Sequence, residues 1–254
     1  MDDDQRLRYS RHLLLDGFGE DSQERLLAAN ALVVGAGGLG SSALLYLASS
    51  GLGHLTVADG DTVDLTNLQR QVIHRMASIG MNKAESARAT LATLNPEVRV
   101  SAVTERLAGE RLAALVGEAD IVLDCSDNFA TRHAINRACV AAGRPLVSGA
   151  AVRFDGQVAV FGASEGDSGC YHCLFPEQAG DEEERCATMG VFAPLVGIVG
   201  TLQALEAIKV IAGVGESLAG RLAMFDAREN RWHEVRLARD PHCPVCARPD
   251  AAAA

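Results

Sequence analysis

Positive charge is in short supply in this chain of 254 residues. Lys and Arg total 23 against 33 Asp and Glu, a net charge of −10. A general DNA or RNA binder needs the opposite balance, so that class is set aside. No apolar run is expected to reach membrane-spanning length. The opening Met1-Asp2-Asp3-Asp4-Gln5 has neither the basic nor the apolar part of a signal peptide, and a cytoplasmic location is the default expectation. No internal repeat is visible. No Lys-Ser or Lys-Thr follows the Gly-rich stretch, which removes a Walker A phosphate loop. Seven cysteines make an odd number, and four of them form two CxxC pairs. In a reducing compartment that pattern points to metal rather than disulfides. What is present is ordinary for a protein with a real core: 48% hydrophobic and 22% charged residues. The length suits one large α/β domain or two small ones.

The chain is organised around Gly35-Ala36-Gly37-Gly38-Leu39-Gly40 and the Asp59 that follows. The apolar run Ala31-Leu32-Val33-Val34 leads in, a helix pattern covers about Ser41 to Ser50, and Leu55-Thr56-Val57-Ala58 ends at Asp59. Strand, glycine turn, helix, strand and acid form the layout of a nucleotide-binding βαβ unit. Glycines let backbone approach a phosphate, a helix N-terminus favours the anion, and the acid can accept ribose hydroxyls. The alternative is a tight turn with no ligand.

Before this unit, helices are expected over Gln5 to Leu15 and Ser22 to Ala29. After it, the polar stretch from Asp59 to Gln71 reads as a functional loop with one helical turn near Leu65 to Gln69. Asn82 is a fair N-cap for a helix with Ala84, Ala87, Leu91 and Leu94 on one face, stopped by Asn95-Pro96. Lys83 then sits in the first turn, where a cation opposes the helix dipole, so a ligand role competes with that of an exposed lysine. Strand Val98–Val103, helix Glu110–Val116 and strand Ile121–Leu123 follow. The last runs into Asp124-Cys125-Ser126-Asp127-Asn128. A helix from Asn128 to Ala142 ends at Gly143, and Pro145 to Val147 is the next strand. Glycines and acids at three strand ends converge on one crevice. Beyond it, Gly156 to Phe161 alternates like a half-exposed strand. Residues 162 to 190 read as a long loop, and residues 195 to 212 as an apolar helix with a stripe of Gln203, Glu206 and Lys209. So narrow a stripe implies burial on nearly all sides, in keeping with a subunit interface. Arg221–Phe225 and Trp232–Leu237 are strand-like.

Cys170/Cys173 and Cys243/Cys246 supply the four thiolates of a tetrahedral, structural zinc site. Unrelated pairs or a redox CxxC are the alternatives. His172 and His242 read as bystanders, and Cys125 and Cys139 as core. For the nucleotide, an NAD-dependent oxidoreductase leaves Arg70, Lys83 and Asp127 without work. An ATP reading uses them: the cations balance phosphate, Arg11 is also available, and Asp127 can hold magnesium.

Taken together, Gly35–Gly40, Asp59-Gly-Asp-Thr-Val, Asn67-Leu-Gln-Arg70-Gln71, Lys83, Asp124-Cys-Ser-Asp127-Asn128 and the two CxxC pairs resemble the HesA/MoeB/ThiF family over essentially the whole chain. Leu146–Ala151 and Phe192–Leu195 look most like its molybdopterin-synthase branch, while Gly200–Lys209 is shared with the thiamine branch. The resemblance implies one domain over residues 1–254: a Rossmann-like, mostly parallel sheet with helices on both faces and N-terminal helices. The nucleotide-binding part covers about 1–162. A crossover loop, buried helix and zinc-tied antiparallel strands fill 163–254. It implies ATP-dependent adenylylation of the Gly-Gly carboxylate of a small ubiquitin-like sulfur carrier, with a sulfur donor acting later. A docking protein without catalysis is the further alternative. The site it implies comprises Gly38, Asp59, Thr66, Asn67, Leu68, Gln69, Arg70, Lys83, Asp127 and Asn128 around ATP, with magnesium on Asp127. Arg11 resembles an arginine that relatives supply from the partner subunit of a homodimer. Cys186 matches a loop cysteine that links covalently to the carrier in some relatives; a dispensable loop thiol is the other reading.

Overall fold

The computed structural model describes residues 1–162, 168–177 and 189–247. Cys186 and the acidic run from Asp181 to Glu184 lie outside them. Eight strands form one sheet in the order β3-β2-β1-β4-β5-β6-β7-β8. The strands are β1 (Asn30–Val34), β2 (His54–Ala58), β3 (Arg99–Val103), β4 (Ile121–Asp124), β5 (Leu146–Val152), β6 (Asp155–Phe161), β7 (Arg221–Asp226) and β8 (Arg231–Arg236). The first five run parallel and the last three antiparallel. Chain order reverses between β1 and β4, so a crevice opens at their carboxyl ends.

Helices α4 (Gly38–Ser49), α5 (Lys83–Leu94), α6 (Gly109–Glu118) and α7 (Phe129–Ala142) are the crossovers. Their boundaries follow local chemistry. Asn82 accepts from the amides of Ala84 and Glu85, Asn128 accepts from the amide of Thr131, and Gly143 closes α7 in the left-handed region. Two apolar clusters fill the two faces of the sheet. One holds Val33, Leu44, Leu47, Leu55, Leu91 and Val199; the other holds Leu32, Leu112, Val122, Ile135 and Leu222. Alternate residues of β1 feed opposite clusters, as the two-residue strand period requires.

Five expectations are corrected. The N-terminal helix is not continuous from Gln5 to Leu15: α1 (Asp3–Arg8) and α2 (Ser10–Leu13) meet at Tyr9. Tyr9 is buried, and its hydroxyl accepts a hydrogen bond from Asn95 at 3.0 Å, so the break turns this ring inward. The following helix, α3, covers Gly19–Ala28, starting before Ser22. Strand β6 is not half-exposed. It lies between β5 and β7, with Val158, Ala159, Val160 and Phe161 all buried.

The last two concern α9 (Ala193–Ala212), which follows the short α8 (Tyr171–Leu174). Its polar stripe points inward. Gln203 and Glu206 are 0% and 2% exposed, whereas Ile198 and Leu205 are 39% and 49% exposed. Gln203 donates to the carbonyls of Asp124 (2.7 Å) and Val147 (3.2 Å), which joins β4 to β5. Glu206 accepts from Lys209 and from the amide of Leu218. Polar groups satisfied inside the protein can be buried at small cost, which a one-dimensional reading of the stripe misses. At 20 residues and mean hydropathy 1.7, α9 is also long and apolar enough to cross a membrane, against the expectation of no such run. Half of that window is buried inside the protein, against α4 and the sheet.

The glycine turn shows why its residues are small. Gly35 has a φ of +100°, and a Cβ there would lie 2.6 Å from the Cys125 carbonyl oxygen. A Cβ at Gly40 would lie 1.9 Å from the Gly35 carbonyl oxygen. Backbone cannot yield as a flexible side chain can. Gly40→Ala is therefore expected to lower stability by about 3 kcal/mol or more, measured by urea unfolding, with a full-strength fold contradicting this packing.

Candidate active site

The carboxyl ends of β1, β2 and β4 and the start of α5 enclose a crevice of about 230 Å³. Its walls include Gly38, Asp59, Arg70, Lys83, Asp127 and Asn128, six of the residues expected from sequence. Arg11, Thr66, Asn67, Leu68 and Gln69 do not line it in a single chain. Thr66 and Asn67 instead build the helical turn Leu65–Asn67, in a capping box with Asp64. Arg11 is the second residue of α2 and is exposed.

Asp59 holds the turn together. One carboxylate oxygen accepts the Ala36 amide at 2.8 Å, and the other accepts the Asp61 amide at 2.9 Å. Each oxygen keeps a further lone pair for a ligand. The carbonyl of Ala36 is held from below by His74 Nε2 at 2.9 Å, while His74 Nδ1 meets the Ser86 hydroxyl at 2.9 Å. A carbonyl only accepts, so Nε2 carries the proton and the neutral ring accepts from Ser86. Burial holds the His74 imidazole below its ordinary range.

The cations come from separate segments. Arg70 donates to the Thr66 carbonyl at 3.2 Å, which leaves part of its guanidinium for the crevice. Lys83, buried at the start of α5, pairs with Asp61 at 3.3 Å. Arg106 pairs with the other oxygen of Asp61 at 3.1 Å. Burial raises the Asp61 carboxyl, but Arg106 and Lys83 together outweigh it and hold the group below its usual range. Across the crevice, Asp124 is buried and takes bonds from Ser126 and Ser148, with Arg132 at 3.5 Å. Arg132 also donates to the Gly149 carbonyl at 2.8 Å. This pair keeps the β4 end in place and leaves Asp127 exposed at the rim.

Arg106, Arg132 and His74 were not singled out from sequence, and Asp61 and Gln71 were quoted only within motifs, with no role of their own. Asp61 was one acid of the polar stretch and of the motif Asp59-Gly-Asp-Thr-Val. Arg132 had a findable signal: a buried acid at a strand end requires a cation, and Arg132 is one turn beyond the Asn128 cap. Cys125 and Cys139 are buried as expected, and burial pushes the Cys139 thiol up to about 12.

At the other end of β6, the Sγ atoms of Cys170, Cys173, Cys243 and Cys246 lie within 4.8 Å of one another. Cys170 and Cys243 are 3.8 Å apart, Cys173 and Cys246 3.4 Å. A tetrahedron with metal–sulfur bonds of about 2.3 Å has edges of about 3.8 Å, so the set fits zinc. Asn136 Nδ2 and the Asp240 amide donate to Cys170 and Cys173 sulfurs at 3.5 and 3.4 Å. Such donors suit thiolates.

The profile described as the ThiF family matches residues 9–245. The chain belongs to that family. Among its relatives, it is 47% identical over 246 residues to the molybdopterin-synthase adenylyltransferase of Escherichia coli K12, covering 97% of this chain and 98% of that protein. It is 46% identical over 246 residues to the sulfur carrier protein ThiS adenylyltransferase of the same strain, covering 97% of each. A crystal structure of E. coli MccB with ATP superposes with a TM-score of 0.81 at 28% identity, over 94% of this chain and 74% of that one.

The His74 geometry carries a pH dependence. Its folded-state pKa is depressed below 6.5, so stability is full above that pH. As pH falls through it, the unfolded chain takes up a proton that the fold refuses, and stability drops. His54, lowered by burial, adds to the same slope. Urea midpoints at about pH 7.5 and about pH 5.5 are expected to differ, and less so in His74→Gln. An unchanged slope in the variant would contradict this account.

Proposed function

We propose that this ThiF-family chain is an ATP-dependent adenylyltransferase acting on the C-terminal Gly-Gly carboxylate of a ubiquitin-like sulfur carrier, most specifically the small subunit of molybdopterin synthase. The observation that carries the reading is the joining of Arg70, Lys83 and Asp127 with the glycine turn in one crevice that has no Walker A lysine. A carrier carboxylate oxygen attacks the α-phosphorus of ATP. The bond from that phosphorus to the bridging oxygen breaks, and pyrophosphate leaves with the electron pair. The products are an acyl-adenylate and pyrophosphate, and a sulfur donor later displaces AMP to give a thiocarboxylate.

Each residue then has a task. The turn amides and Gly38 lie against the nucleotide, and Asp59 keeps lone pairs for ribose hydroxyls. Arg70 and Lys83 meet phosphate with Asn128 alongside, while Asn67, with Thr66, Leu68 and Gln69, would reach it only if the Leu65–Asn67 turn closes on the bound nucleotide. Fixed cations aimed at the leaving pyrophosphate stabilise the charge that builds there. Asp127 would hold magnesium, a hard cation matched to carboxylate and phosphate oxygens. The Cys₄ set would hold zinc and tie the C-terminal segment to the knuckle that forms α8. Apolar Ile198 and Leu205, seven residues apart on one face of α9, support pairing with a second copy, which would bring Arg11 into the partner's crevice. Cys186 is the candidate for a covalent carrier link. A reducing, cytoplasmic setting goes with this chemistry.

The two E. coli relatives differ by one point of identity, so the carrier is tested directly. Intact-mass analysis with ATP, magnesium and a panel of Gly-Gly-ended carriers should show an AMP adduct on the molybdopterin-synthase subunit. An adduct on another carrier instead would reassign the pathway. Arg70→Ala should reduce carrier-dependent pyrophosphate exchange by about 100-fold or more with an unchanged circular dichroism spectrum; exchange at the wild-type rate would sink the mechanism. Cys170→Ser should lose zinc in metal analysis, and full occupancy would contradict the Cys₄ assignment.

A further inference from the structure

Two histidines beside the Cys₄ cluster take no part in the adenylyl chemistry. His172 lies inside the first knuckle, between Cys170 and Cys173, and His133 is buried on α7. Their rings meet edge to face with centroids 5.6 Å apart. Glu177 follows the knuckle. One ligand atom from each of His133, His172 and Glu177 lies within 4.8 Å of the others. The Nδ1 atom of His172 is buried and has no hydrogen-bond partner. A buried polar nitrogen left so is unfavourable, and ligation removes that cost.

We propose that His133, His172 and Glu177 bind a second divalent transition-metal ion, distinct from the Cys₄ metal. Two imidazoles and a carboxylate form a donor set for zinc or a similar borderline cation. Metal–nitrogen and metal–oxygen bonds of about 2.0–2.2 Å give tetrahedral edges of about 3.4 Å. The present separations exceed that by little more than an ångström at most, and Glu177, whose side chain is 50% exposed, can rotate to close the set. Arg137 already holds one Glu177 oxygen at 2.7 Å, which orients the carboxylate and leaves the other oxygen for the metal. The exposed side of Glu177 leaves room for a water in the fourth position.

The placement explains what such an ion does. His133 and Asn136, three residues apart, share one face of α7. Asn136 already grips the knuckle through the Cys170 sulfur and through the Tyr171 amide at 3.0 Å. A metal on His133 and His172 extends that grip by one turn towards Asn128 and Asp127. The knuckle and the crevice rim then share one rigid helix.

The test is independent of the catalytic reading. Metal-free protein is titrated anaerobically with cobalt(II). Thiolate ligation gives an intense charge-transfer band, and the histidine–carboxylate site adds only weak visible absorption. Wild type should bind about two equivalents, and only one of them should develop the thiolate band. Glu177→Gln lies outside the knuckle and should bind about one, with the thiolate band intact; His172→Ala should do the same. Saturation of wild type at a single equivalent, or two equivalents retained in both variants, would overturn the proposal.

Discussion

Asp59 accepts two backbone amides, one from the turn after β1 and one from the segment after β2. The carbonyl of the same residue, Ala36, is clasped by His74. Two successive peptide planes, one on each side of the Ala36 Cα, are thereby fixed. The crevice inherits its shape from this, because the turn amides can point at a ligand only if those planes do not rotate. Gly35 and Gly40 are the steric condition for it: β4 and the start of α4 come too close for any side chain.

Electrostatics follows from the same arrangement. The chain is acidic overall, so an anionic ligand meets attraction only where cations are gathered by the fold. Asp61 is shared by Lys83 and Arg106 and acts as their internal counterion. It keeps two long side chains near the crevice without a ligand, and it limits how strongly they can bind one. Arg132 differs, since its buried pairing with Asp124 makes it part of the scaffold.

Much of this was legible in the sequence because the signals are local. The β1–turn–α4–β2 unit ending in Asp59, the caps at Asn82, Asn128 and Gly143, and the paired cysteines all declare themselves within a few residues. So did Gly38, Asp59, Arg70, Lys83 and Asp127, which the fold brings to one place. The failures are long-range. Tyr9 breaks its helix for a hydrogen bond with Asn95, and Gln203 points inward for the carbonyls of Asp124 and Val147. No window around residue 9 or residue 203 contains those partners. Asp61 was hidden for another reason: in a polar stretch every acid looks alike until its neighbours across space are known.

The sulfur cluster also has a temporal meaning. A chain is made from its N-terminus, so Cys170 and Cys173 leave the ribosome well before Cys243 and Cys246 exist. The first knuckle must wait as a pair of open thiols while α9 and the β7–β8 hairpin are still being synthesised. Closure of the four-sulfur set is thus among the last events of folding. It acts as a completion check: a truncated product, however well its nucleotide half has folded, has no second pair with which to fasten itself.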